Sequence, residues 1–188
     1  MKIVCIGNSI VNGFPLKRSQ CFVSLWREAS GHEIINKGEN GDTSPNIVLR
    51  FQRDVLAHKP AAVVVLTGTN DFIYQMETPD GVLRYMNQMV LTARTNAIEP
   101  ILITPLLTNP AMASRLWIPE VDYNAVNDNL VALRALMLEY GDTNKIRIID
   151  AQMEFASLYT EENEEIYLID GLHPTAEGHK AIAEFFSF

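Results

Sequence analysis

The sequence predicts an α/β fold, a parallel sheet covered by helices on both faces, on three observations. Short apolar runs of strand length recur at Ile3–Ile6, Ile34–Ile35, Ala61–Leu66, Ile101–Ile103 and Ile146–Ile149, most of them rich in β-branched residues. Stretches with helical spacing lie between them, so the order reads βαβαβ, which calls for parallel strands joined by helical crossovers. Three strings of small and polar residues, GNSI at Gly7–Ile10, GTND at Gly68–Asp71 and DGLHP at Asp170–Pro174, each follow an apolar run, where a strand would end.

Taken in order, the runs lack the polar alternation of a half-exposed strand, as expected of parallel strands buried on both faces. The helical stretches carry apolar residues three and four apart: Phe22, Val23, Trp26 and Ala29; Ile47, Val48, Phe51 and Val55; Val82, Met86, Met89, Val90 and Ala93; Leu130, Leu133, Met137 and Leu138. Met86 and Met89 read as core filler. Ser44 before Pro45, and Thr78 before Pro79, each offer a capping oxygen ahead of a proline suited to the first helical position. A last helix should run from about Thr175 to the C-terminus and dock through Ile182, Phe185 and Phe186. Pro105 to Pro119 reads as a long connection, too apolar for disorder and of a length usually tied to function.

With 188 residues, 47% hydrophobic and 20% charged, the chain has the size and balance of one domain spanning 1–188. The formal charge of -8 leaves no basic stripe to neutralise phosphates, which argues against nucleic acid or an anionic membrane surface as partner. No apolar stretch approaches the roughly 20 residues of a membrane span. Ile3–Ile6 is too short for a signal sequence, and cleavage there would remove Ser9, so the expected compartment is the cytoplasm. Cys5 and Cys21 read as core thiols rather than a disulfide framework. The histidines and cysteines show neither HExxH nor paired CxxC spacing, and no phosphate-cradling glycine motif follows a strand, so no metal or organic cofactor is expected.

In an open α/β sheet, ligands bind beyond the carboxyl ends of the strands, so the three polar strings can meet in one crevice. Ser9 sits on the turn leaving the first strand, where its hydroxyl can project above the sheet edge. Alone, GNSI more often marks a turn or helix cap, and a serine hydroxyl needs a base before it is a useful nucleophile. Asp170 and His173 can supply that base: three residues apart on a loop, the carboxylate can orient the imidazole and leave its other nitrogen free for the Ser9 proton. A DxxH pair by itself also fits a capping aspartate beside a surface histidine. The other histidines, His32, His58 and His179, lack such a partner nearby in sequence and read as structural or exposed.

A tetrahedral intermediate needs donors aimed at its oxyanion. The Asn70 side chain, the Ser9 amide and the amide of Gly41 are candidates, although Gly41 also reads as a plain turn glycine and Asn70 as a strand-end turn residue. Asp42 and Asp71 read as turn or cap carboxylates.

The ordered set Ser9, Gly41, Asn70, Asp170–His173 resembles the SGNH hydrolases, also called GDSL esterases and lipases, over nearly the whole chain from Gly7 to Pro174. The resemblance implies a three-layer, flavodoxin-like fold with a five-stranded parallel sheet. It also implies Ser9 as nucleophile, His173 as general base and acid, Asp170 as its orienting carboxylate, and Gly41 and Asn70 as oxyanion donors with the Ser9 amide. Where that family usually has an aspartate before the nucleophile, this chain has Asn8, which keeps an acceptor oxygen but loses the charge. The string G-x-S-x-G is absent around Ser9, so nucleophile-elbow hydrolases match poorly.

The expected reaction is hydrolysis of a small-molecule carboxylic ester, of short to medium acyl chain and with acetyl esters and thioesters included, through an acyl-enzyme on Ser9. The alternatives are an acyltransferase with the same triad and a non-catalytic α/β binding module. Position on the same crevice makes Phe14, Phe72 to Tyr74 and part of the Leu106–Ile118 stretch, Trp117 above all, the expected acyl-pocket walls. The competing role for that stretch is to cover core or to join subunits of a homo-oligomer.

Overall fold

The computed structural model describes residues 1–160 and 163–186. In chain order the elements are β1 (Lys2–Gly7), α1 (Ser9–Asn12), α2 (Phe22–Ser30), β2 (Glu33–Gly38), α3 (Ser44–Asp54), β3 (Ala62–Leu66), α4 (Thr69–Ile73), α5 (Pro79–Thr95), β4 (Glu99–Ile103), α6 (Pro110–Leu116), α7 (Tyr123–Asn144), β5 (Arg147–Ile149), α8 (Ala151–Ala156) and α9 (Ala176–Glu184). The five strands form one parallel sheet in the order β2-β1-β3-β4-β5. This is the three-layer α/β arrangement expected from the sequence.

Side chains alternate across each strand, and the core divides accordingly. Val4, Ile6, Val63, Val65 and Leu102 face α3, α5 and α7, where Ile47, Phe51, Met86, Met89, Leu130 and Leu133 pack on them. Ile3, Cys5, Val64, Leu66, Ile101 and Ile103 face the other way, onto Phe22, Trp26, Phe155, Ile182 and Phe186 of α2, α8, α9 and the residues after it. Both cysteines are free and buried.

Register brings the strand ends level: Gly7 of β1 pairs with Gly38 of β2 on one side and Leu66 of β3 on the other. The chain leaves β1 for β2 on one flank and returns to β3 on the other. The β1/β3 junction is therefore the switch point at which crevices open in such sheets.

Several local expectations needed correction. Ser44 is already helical and its hydroxyl is spent on Asp71 and Thr67; the cap position is Thr43, with no side-chain cap bond. Thr78 does cap α5, accepting from the Gly81 amide. The 105–119 connection contains the helix α6, whose cap Asn109 accepts from the Met112 amide, with Leu106 and Met112 in the core. Helix α7 begins seven residues before its first expected apolar position, Leu130, because the Asp122 side chain accepts from the amides of Asn124 and Ala125 and starts the helix early. Among the described residues no helix is long and apolar enough to cross a membrane.

Candidate active site

Ser9 follows β1 by one intervening residue. Asn8 has an extended backbone and caps α1, its Oδ1 accepting from the Ile10 amide at 3.1 Å. Capping needs an acceptor oxygen and not a charge, so asparagine suffices at this position. The short α1 closes at Gly13 in the left-handed conformation and leaves the Ser9 side chain at the sheet edge, only 7% exposed.

Its hydroxyl lies 3.1 Å from His173 Nε2. His173 is held by a tight loop in which the Ile169 amide donates to the His173 carbonyl and Leu168 bridges Pro174. Asp170 Oδ1 accepts from the amides of Leu172 and His173, and Oδ2 lies 2.8 Å from His173 Nδ1. Burial pushes the Asp170 carboxyl up, but the bonds from the His173 ring and the loop amides outweigh it and hold the group below the usual carboxylate range. An ionised Asp170 requires the proton on Nδ1, which leaves Nε2 as acceptor for the Ser9 hydroxyl.

The oxyanion side is built from the ends of β2 and β3. Gly41 adopts a φ of +74°, a left-handed turn conformation that glycine enters without strain. The Tyr74 hydroxyl stands 3.5 Å from where a Cβ on Gly41 would lie, so the turn is overhung as well as bent. Asn70, on the first turn of α4, donates one Nδ2 hydrogen to the Asp42 carbonyl at 2.8 Å and keeps the other. Next to it, Asp71 is fully buried and accepts from both the amide and the hydroxyl of Ser44 at 3.0–3.1 Å. Burial pushes its carboxyl up to about 6 against those bonds.

These groups line a cavity of about 140 Å³ with Phe14, Asn40, Ile73, Tyr74, Trp117 and Leu172. The rings of Phe14 and Trp117 both meet the His173 imidazole edge to face, with centroids 5.0 and 4.8 Å away. Trp117 is carried there by α6, whose start is tied to the His173 loop by the Asn109 amide donating to the Gly171 carbonyl at 2.7 Å. Gly171 permits this close approach: at a φ of +83° a Cβ would lie 2.5 Å from the Ala113 amide nitrogen.

The structure thus brings together Ser9, Gly41, Asn70, Asp170 and His173, and with them the expected walls Phe14, Tyr74 and Trp117. Phe72 is the exception. It is 3% exposed in the core beneath α4, because successive residues of a helix cannot share one face, while Ile73 and Tyr74 of the same expected stretch line the cavity. Sequence reasoning missed Asn40 and Leu172, which adjoin the Gly41 and His173 positions, and it missed the buried Arg50 of α3. The signal for Arg50 was its phase on α3, three residues after Ile47 on the apolar face. Among the described residues no cluster of three or more His, Cys, Asp or Glu side chains is arranged to hold a metal ion.

The chain is similar to known proteins over most of its length. The chain is 22% identical over 158 residues to an acetylxylan esterase of Geobacillus stearothermophilus, covering 83% of this chain and 71% of that one. It is 30% identical over 114 residues to the uncharacterized lipoprotein YqeF of Bacillus subtilis (strain 168), covering 54% of this chain and 47% of that one. The solved structure of a G-D-S-L family protein from Desulfitobacterium hafniense superposes with a TM-score of 0.80 at 26% identity, covering 98% of this chain and 96% of the other. The sequence profile of the GDSL-like lipase/acylhydrolase family matches residues 5–181. The chain therefore belongs to the GDSL-like lipase/acylhydrolase family, a membership that supports an ester hydrolase.

Proposed function

We propose that the protein is a serine esterase that cleaves carboxylic esters of short acyl chain through an acyl-enzyme on Ser9. The observation that carries the reading is the unbroken chain Asp170 Oδ2, His173 Nδ1, His173 Nε2, Ser9 Oγ, with contacts of 2.8 and 3.1 Å, opening into a cavity lined by Gly41 and Asn70.

Ser9 attacks the ester carbonyl as its hydroxyl proton passes to His173 Nε2, and Asp170 stabilises the resulting imidazolium. The oxyanion receives hydrogen bonds from the amides of Ser9 and Gly41 and from the second Nδ2 hydrogen of Asn70. Collapse of the adduct expels the alcohol or thiol, which takes the proton from His173. Water then enters by the same route, giving its proton to His173 as it attacks the acyl-enzyme, and Ser9 is restored. No step needs a metal or cofactor.

The small cavity, about 140 Å³, supports an acyl group of few carbons, and the half-exposed Tyr74 and Trp117 leave room for a larger leaving group outside. The test is labelling with a phenylmethyl sulfonyl fluoride, together with hydrolysis of p-nitrophenyl esters from acetate to octanoate. Modification at Ser9 and the fastest turnover on acetate to butyrate are expected. An unlabelled Ser9 in a protein that hydrolyses none of the esters would return the crevice to a binding module, and product partitioning to an added alcohol or sugar would make it an acyltransferase.

A further inference from the structure

Beneath the crevice lies a buried cation that the mechanism above does not use. Arg50, on α3, is 8% exposed. Its Nε and Nη2 both lie 2.7 Å from Asp42 Oδ2. Nη1 donates to the Lys37 carbonyl at 2.8 Å and to Asp54 Oδ2 at 3.1 Å, and Nη2 to the Gly7 carbonyl at 3.0 Å. Four N–H groups of the guanidinium thus donate hydrogen bonds, and the Nη2 contact with Asp42 adds an ion pair, so the buried cation is well compensated.

The acceptors bear directly on the reaction centre. Gly7 ends β1 two residues before Ser9, and Lys37 lies next to the last residue of β2. Asp42 follows Gly41, and its backbone carbonyl is the acceptor that fixes the Asn70 amide. One planar group thus spans the supports of all three oxyanion donors. The chain could have closed this space with apolar residues at lower desolvation cost, since burying a charge with its partners seldom adds stability over a well-packed hydrophobic replacement. What the guanidinium supplies instead is direction, because its planar fork fixes several acceptors at once.

We propose that Arg50 is a positioning residue that sets the oxyanion cradle by locking the carboxyl ends of β1 and β2 to the Gly41–Asp42 turn. It acts through Ser9, Gly41 and Asn70 and touches no substrate. The inference rests on the serine esterase reading. A lysine cannot replace it, since an ammonium has three donors on a single nitrogen and cannot bridge Gly7, Lys37, Asp42 and Asp54 together.

The experiment compares the wild-type protein with R50K and D42N on p-nitrophenyl acetate, and measures inhibition by phenylboronic acid, whose tetrahedral adduct with a serine needs the same donors. Thermal unfolding establishes that each variant is folded at the assay temperature. Loss of a single oxyanion donor costs about 10²–10³ in kcat, and displacement by about an ångström about 10². R50K should therefore lose roughly 10–100-fold in kcat with KM within about threefold, and the boronate Ki should rise by a similar factor, as expected when only transition-state interactions are weakened. The acid limb of the pH profile should not move, because the His173–Asp170 pair is untouched. D42N, which keeps the side-chain volume but removes the charge that the guanidinium grips, should show the same pattern and decides the matter if R50K does not fold. Folded variants with wild-type kcat would overturn the proposal. So would a fall in kcat that leaves boronate inhibition unchanged, since the loss would then not pass through the cradle. A wild-type protein that sulfonyl fluoride fails to label at Ser9 would instead overturn the esterase reading itself.

Discussion

Both faces of the sheet carry an apolar core, but the two halves of the candidate active site, which lie on opposite faces, are anchored by different physics. The oxyanion groups lead into α3 and α4 on one face, where Arg50, Asp42, Asp54, Asp71, Ser44 and Thr67 form a buried polar framework. The loop carrying Asp170 and His173 leads into α9 on the other face, whose anchors are rings: Trp26 against Phe186 at 4.4 Å, Phe22 against Phe186 at 5.6 Å and Phe22 stacked on His179 at 6.1 Å. Directional bonds fix dipoles to a fraction of an ångström, which charge stabilisation needs. Apolar packing fixes an element's position but not the orientation of a polar group. The imidazole accordingly takes its orientation from one carboxylate, while Phe14 and Trp117 only enclose it.

That contrast can be broken most severely on the packed side. Asp170→Asn should lower kcat by about 10⁴, the cost of presenting the wrong tautomer to the nucleophile, although every ring around His173 stays in place. Steady-state kinetics on p-nitrophenyl acetate checks it, and a loss under tenfold would mean that packing alone orients the ring. On the polar side, Asn70→Ala should cost about 10²–10³ in kcat with little change in KM. A KM effect of the same size would assign Asn70 to ground-state binding instead.

The two faces should also answer differently to acid. His179 accepts from the Phe22 amide, and burial, with a smaller repulsion from His173, lowers its imidazole to about 4. The unfolded chain takes up that proton near the ordinary histidine value of about 6.5, so stability of up to ~3 kcal/mol is lost as pH falls between the two. Asp71 has the opposite sign. Its carboxyl, raised to about 6, protonates in the folded state before the unfolded one, so acid strengthens the fold by ~3 kcal/mol between about pH 6 and 4. Denaturant unfolding across that range should show His179→Phe gaining stability relative to wild type on acidification and Asp71→Asn losing it. Equal slopes in both variants would erase the distinction between the faces.

The smallest effect belongs to the cavity wall. Trp117→Ala should shift acyl preference towards longer chains by roughly tenfold per added methylene, the low end of the usual worth of methylene contacts in a pocket. Unchanged chain-length selectivity would leave Trp117 as a cover for His173 only.

How far all this could be read from the residues follows from what each signal depends on. Buried parallel strands are apolar on both faces, so β1, β3 and β5 stood out as runs within a residue of their observed limits. Ser9, Gly41, Asn70, Asp170 and His173 were legible because their order along the chain follows the order of strand ends. Phe72 and Ser44 misled for one reason: a residue type states what a side chain can do but not where it points. Ser44 had a capping oxygen, and only the approach of Asp71 from α4 diverted it.

By itself, then, the sequence determined the α/β class, the strand and helix periods and the list of chemically capable groups, because periodicity and side-chain chemistry are local properties. The tertiary structure decided which of those groups meet. The 3.1 Å between Ser9 and His173 joins residues 164 positions apart, and the fork of Arg50 finds its acceptors at the ends of two strands, in a turn and on its own helix. Such contacts depend on register and crossover geometry summed over the whole sheet, which no window of the chain contains.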